Sequence, residues 1–211
     1  MTRRQQLTAG VIAAIVVLAG CSSSEPQPRA QAQPSVPDEV DVGFARDMAS
    51  HHAQAVDMAD RIRVRTDDPE LRVLATDVVL TQQAQIGRMQ GWLDVWDEPL
   101  TTTDAPMSWA DDAVGPMDHG ADGSGGAMPG MANPAAIAEL DALAPAEAEL
   151  RFLELMIAHH RGGVQMAEAA VAADPSEVVG DLARSIIDGQ TSEIETMDRM
   201  LGQRTAAQAG S

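Results

Sequence analysis

The 211-residue chain has no lysine and no tyrosine, only two phenylalanines and three tryptophans, and a single cysteine, Cys21. Each shortage excludes something. With lysine missing and the arginines dispersed, no basic stripe exists to neutralise phosphates, and a formal charge of -18 opposes nucleic acid as a partner. A lone cysteine rules out an intrachain disulfide and a thiolate metal cluster. Because aromatics are scarce, Leu, Ile, Val, Met and Ala must fill the core. Strand-like alternation is almost absent, as are a Gly-rich phosphate loop behind a strand, a Ser-His-Asp signature and a thiol for nucleophilic chemistry. The strong acidity favours solubility and attracts cations, but does not by itself specify a site.

The N-terminus, MTRRQQLTAGVIAAIVVLAGCSSS, places Arg3 and Arg4 before an apolar run from Val11 to Ala19. That order reads as a secretory signal whose apolar part is too short for a stable membrane span. Leu18-Ala19-Gly20-Cys21 resembles a bacterial lipobox, so residues 1–20 are expected to be removed and Cys21 to carry a lipid. Removal takes two arginines and no acids, moving the charge from -18 to -20. Residues 21–37 are rich in Ser, Pro and Gln and read as a flexible tether. The expected location is the outer face of the cytoplasmic membrane, within the cell envelope.

Two stretches, 38–97 and 134–203, are dense in apolar and charged residues and read as helix. Asp68-Pro69 and Asp174-Pro175 interrupt them, each an acidic cap followed by proline at a first helical position. This predicts helices over about 40–65, 69–97, 145–173 and 175–203, with Asn133-Pro134 opening a short lead-in helix. The halves are related at an offset of 108: Phe44 with Phe152, Met48 with Met156, His51-His52 with His159-His160, Met58 with Met166, Gln82 with Gln190, Met89 with Met197. A single hairpin cannot bury both its apolar stripes, whereas two packed together can. The expected fold is all-α: one four-helix bundle of two duplicated hairpins, with residues 204–211 a disordered tail.

Four of the five histidines are adjacent pairs, in MASHHAQAVDMA at 48–59 and MIAHHRGGVQMA at 156–167. At 100° per residue, with Met48 at zero, His51 falls near about -60°, His52 near about +40° and Met58 near about -80°. Histidine and methionine therefore share one arc with the apolar stripe, and both pairs lie near mid-helix. Two explanations stand open. Neutral imidazoles and thioethers could form a site for a borderline or soft ion such as copper; or the histidines are buried, hydrogen-bonded polar residues and the methionines pliable filler. A di-iron carboxylate centre fits poorly, because methionine occupies the position three before each first histidine, and Asp47 is matched by Leu155. Ferroxidase activity is not expected.

Between the hairpins, residues 98–133 are rich in Gly, Pro and Asp and carry Met107, Met117, His119, Met128 and Met131. A connection this long is expected to cross the bundle or carry function, and these residues form a secondary soft-metal candidate. Its reach leaves the direction of the second hairpin open.

The pattern Phe44, Met48, His51, His52, Met58, Ala59, followed by Gln82, Ile86, Met89 and Trp92, resembles the domain of unknown function 305 of bacterial envelope proteins. The second copy supplies Phe152, Met156, His159, His160, Met166, Ala167, Gln190, Ile194 and Met197. The resemblance implies a ferritin-like four-helix bundle and, through members linked to periplasmic copper, the ligand set His51, His52, His159, His160, Met48, Met58, Met156 and Met166. Where that pattern leads one to expect Gly-Ala after the second pair, this chain has Arg161-Gly162-Gly163, expected to loosen the helix and to place a charge beside the site. The resulting expectation is a lipid-anchored, non-enzymatic copper protein for storage, buffering or transfer. The competing expectation is a helical partner of a membrane or cell-wall complex with structural histidines.

Overall fold

The computed structural model describes residues 36–110 and 128–210. Cys21, Met117 and His119 lie outside the described residues. Among the described residues there are five α-helices: α1 (Glu39–Arg63), α2 (Pro69–Val95), α3 (Pro134–Ala142), α4 (Pro145–Ala172) and α5 (Glu177–Ala209), with a 3-10 turn at Ser108–Ala110. The described residues contain no strand.

Local chemistry sets most boundaries. Asp38 accepts from Asp41 N at 2.9 Å to start α1, whose acidic first turn and Arg61 and Arg63 in the last complement the helix dipole. Asp68 accepts from the N–H groups of Glu70 and Leu71 ahead of Pro69, and Asn133 caps α3 through Ala136 N. At the end of α2, Glu98 N–H bonds Leu93 O at 2.9 Å and Asp97 N–H bonds Asp94 O at 3.3 Å, with Asp97 at φ +59°. That is a Schellman closure with aspartate in the left-handed position.

Two boundaries differ from expectation. Asp174 does not cap α5; it sits at φ +56° just beyond the end of α4, so Ser176 becomes the residue before the helix. Ser176 N–H instead donates to the buried Asp41 at 2.9 Å, tying that turn to α1. The tail is also not disordered throughout, since α5 continues to Ala209 and Arg204 pairs with Asp68 and Glu149. Arg161-Gly162-Gly163 does not break α4, which runs unbroken from Pro145 to Ala172.

Helices α1 and α2 form one hairpin and α4 and α5 the other; α1 and α4 pack on each other at the centre. The core has two parts. One gathers Phe44, Met48, Met89, Leu93, Met166 and Leu182, the other Met58, Ile62, Leu71, Phe152, Met156 and Met197. The N-terminal half of α1 thus meets the C-terminal half of α4, so the two helices run antiparallel. Phe44 and Phe152, equivalent by the 108-residue offset, fall in opposite parts, as a two-fold relation between hairpins requires. The histidines occupy the level between the two parts.

Candidate metal centre

Because α1 and α4 are antiparallel and cross at their midpoints, both histidine pairs arrive at one level. All four imidazoles are fully buried. The rings of His51 and His159 lie 3.8 Å apart, tilted by 34°, with His52 6.4 Å from His51 and His160 6.2 Å from His159. The two inner rings are in contact and the outer two flank them.

Each ring uses Nε2 in the same way. His51 Nε2 donates to the Pro129 carbonyl at 3.0 Å, His159 Nε2 to the His51 carbonyl at 3.1 Å, His52 Nε2 to Gln85 Oε1 at 2.7 Å and His160 Nε2 to Glu193 Oε2 at 2.8 Å. All four partners are oxygens, so the proton resides on Nε2 and the Nδ1 lone pair is free. None of the four buried Nδ1 atoms has a hydrogen-bond partner. Burial, reinforced by neighbouring imidazoles, resists protonation of His51, His52 and His159. His51 is lowered from 6.5 to about 4, His52 to about 3, and His159 well below its ordinary value. At neutral pH these three rings are uncharged.

Gln85 and Glu193 were not among the residues anticipated from sequence. Each lies 33 positions after the histidine it holds, and they are 108 apart, but the change of residue type hides the match. Gln82 and Gln190, one helical turn earlier, are also buried, with both amide atoms of each unpaired. Gly163 admits Gln190: a Cβ there would collide with its amide oxygen.

The methionines are divided. Met48, Met58, Met156 and Met166 are all fully buried, but Met48 and Met166 belong to one part of the core, and Met58 and Met156 to the other. Met107 and Met128 join the first group, and half-buried Met131 packs against it. The segment 128–132 is fixed in place. Pro129 O receives His51, Gln54 bonds both N–H and C=O of Ala132 at 2.7 and 3.0 Å, and Gly162 leaves room where a Cβ would strike Pro129 O. Arg161 is exposed and pairs with Asp198 at 3.3 Å, so its charge is directed away from the rings. Asp47 anchors the other flank of the connection, accepting from Met107 N at 2.8 Å and Trp109 Nε1 at 2.9 Å; burial pushes its carboxyl up, while those bonds oppose the shift.

Among the described residues, no three His, Cys, Asp or Glu side chains group closely enough to hold an ion by themselves. The sequence left open whether the two histidine pairs form one site or two; the structure brings their inner rings, His51 and His159, into contact. What converges is a pair of imidazoles in contact, two flanking imidazoles and methionine on both sides.

The chain matches the family described as Domain of unknown function (DUF305) over residues 41–201. It belongs to that family. A DUF305 protein of Streptomyces coelicolor, provisionally described as secreted, is 43% identical and superposes with a TM-score of 0.70, covering 79% of this chain and 94% of that one. CopM in its Cu(II)-bound form is 25% identical with a TM-score of 0.60, over 77% of this chain and 96% of CopM. An uncharacterized protein of Acanthamoeba polyphaga mimivirus is 39% identical over 54 residues, 26% of this chain; the match spans 36% of that protein's length. The all-helical bundle of this DUF305 chain is thus shared with structures that include a copper-bound protein.

Proposed function

We propose that this protein binds a soft transition-metal ion, copper foremost, in its bundle core. The observation that carries the proposal is the set of four buried Nδ1 lone pairs without partners, on rings whose Nε2–H groups are all held by oxygen. Leaving a buried polar atom unpaired costs about 1–3 kcal/mol, and four on one level call for a ligand. The arrangement is also that of metal-binding histidine, in which the second ring nitrogen donates to a carbonyl or carboxylate that fixes tautomer and orientation.

The donors fit a soft ion. Neutral imidazole and thioether suit Cu(I) and related ions, which accept low coordination numbers, better than a hard cation needing many oxygens. His51, His52, His159 and His160 would supply nitrogen, with Met48 and Met166 on one side and Met58 and Met156 on the other. Met128 and Met131 would extend the first side. The solved Cu(II) form of CopM supports copper as the ion. Storage, buffering or transfer accounts for these features without turnover. Lipidation at Cys21 would hold the protein on the outer face of the cytoplasmic membrane, where an envelope partner could receive the ion; no helix among the described residues is long and apolar enough to cross a membrane.

The test is metal content after purification without a histidine tag, for the wild type and for His51, His52, His159 and His160 changed together to Ala. Stoichiometric copper in the wild type and none in a folded variant is the expected result. A wild type that stays metal-free under added Cu(I) and Cu(II) contradicts it.

A further inference from the structure

The duplicated hairpins hold their outer histidines by different chemistry. His52 Nε2 is bound by the neutral amide of Gln85 and His160 Nε2 by the carboxylate of Glu193, at nearly equal distances of 2.7 and 2.8 Å. Both rings are fully buried and both Nδ1 atoms are unpaired. The hydrogen-bond geometry is conserved between the halves and the charge is not.

From this we infer that the two outer histidines are inequivalent as ion ligands. Glu193 suits His160 to a divalent ion, and Gln85 leaves His52 suited to a monovalent one. This rests on the metal-binding reading above and names the residue that selects the oxidation state.

A carboxylate accepting the Nε2 proton increases electron density on the ring and makes Nδ1 a stronger donor, whereas an amide oxygen does so much less. Glu193 also brings a negative charge to a core where the available donors are otherwise neutral. A cation buried among neutral ligands loses hydration that only an opposing charge offsets, and that demand is greater for a 2+ ion than for a 1+ ion. Glu193 is 23% exposed, so its carboxylate stands at the edge of the core while one oxygen reaches the buried ring. Gln85 has no such charge to give, and a soft monovalent ion between imidazole and thioether has less need of one.

The protein contains the design of its own control. Glu193→Gln recreates at His160 the amide contact that Gln85 already makes to His52, so the bundle is expected to fold. Gln85→Glu makes the reciprocal change. Cu(II) and Ag(I) serve as probes, each titrated into metal-free protein, with the Cu(II) electron paramagnetic resonance spectrum recorded alongside.

Glu193→Gln is expected to weaken Cu(II) binding by about 10–100-fold, the usual effect of losing such a partner, with Ag(I) affinity changed by less than about threefold. Gln85→Glu is expected to strengthen Cu(II) and to add a second Cu(II) spectral component. Equal changes for both ions, or none, in either variant would overturn the inference while leaving the metal site standing. A wild type that binds neither probe would instead overturn the metal reading itself. A role limited to fixing the His160 ring would be met by the glutamine and would leave the Cu(II) to Ag(I) ratio where it was.

Discussion

Protonating one of the buried imidazoles places a charge on a ring whose Nδ1 has no hydrogen-bond partner in the protein. The folded-state values, about 4 for His51 and about 3 for His52, lie below the 6.5 of an exposed ring. Across that interval the unfolded chain binds more protons than the folded one, so folding stability falls as pH drops below about 6.5, and the contribution of these two rings is fully lost below about 3. Thermal unfolding of metal-free protein followed through this interval should show the decline, and His52→Gln, which removes one such proton, should flatten it. A wild-type midpoint that does not move, or a variant with the wild-type slope, contradicts the burial argument. A second outcome at this scale concerns Gln82, whose amide is buried and unpaired at both atoms. Replacing an unsatisfied group by an apolar one of similar volume is neutral or favourable, so Gln82→Leu should leave the metal-free protein as stable or raise it by up to about 1–2 kcal/mol in denaturant titration. A loss larger than about 1 kcal/mol would mean that ordered water satisfies that amide in the free protein.

At the scale of elements, the segment 128–132 is tied to the inner ring pair, since the His51 proton is committed to the Pro129 carbonyl. Gly162 makes that contact possible. Its missing Cβ is where Pro129 O comes closest, and Gly130 at φ +73° packs beside it against the Ala158 carbonyl, one turn away on α4. Gly162→Ala should displace the segment, cost about 1–3 kcal/mol as an overpacked site does, and raise hydrogen exchange at 128–132. Gly87 offers the opposite case: it lies in α2 with nothing within 4 Å of a would-be Cβ, so Gly87→Ala should stabilise by about 0.5–1 kcal/mol. If the two alanines behave alike in denaturation, the close approach at Gly162 is not what holds the segment. The same pair shows where composition misleads. A glycine doublet in a helix reads as a weak point when only helix propensity is considered, and the partner that makes it useful is a backbone carbonyl more than thirty positions away in sequence, invisible to any helical period.

For the whole molecule, the duplication was legible because histidine pairs at an offset of 108 cannot be explained by apolar periodicity, and the four long helices were legible in composition and proline-marked starts. Relative helix direction was not legible, since the connection between hairpins is long enough to permit either; only the mixing of Phe44 with Met166, and of Met58 with Phe152, settles it as antiparallel. Gln85 and Glu193 escaped because equivalent positions with different side chains leave no repeat signature. The C-terminus escaped for a related reason: TAAQAGS carries no apolar stripe, yet the helix persists because its anchor is ionic. Arg204 pairs with Asp68 and with Glu149 at 3.2 Å, and Glu149 in turn accepts from the buried Thr66 hydroxyl at 2.6 Å. One side chain thereby joins the end of α5 to the start of α4 and to the turn between α1 and α2, closing the end of the bundle remote from Trp109. Arg204 and Glu149 are 16% and 14% exposed, enough burial that removing the cation leaves a carboxylate short of both charge and hydrogen bonds. Truncation after Gln203 should therefore cost about 1–3 kcal/mol, and Arg204→Met, which keeps the length and the helix, should reproduce most of that loss in denaturant midpoints. High salt should weaken the wild type toward the Arg204→Met variant, because the pairs remain within reach of solvent ions. A truncated chain as stable as the full one would return residues 204–211 to the dispensable tail that their composition implied.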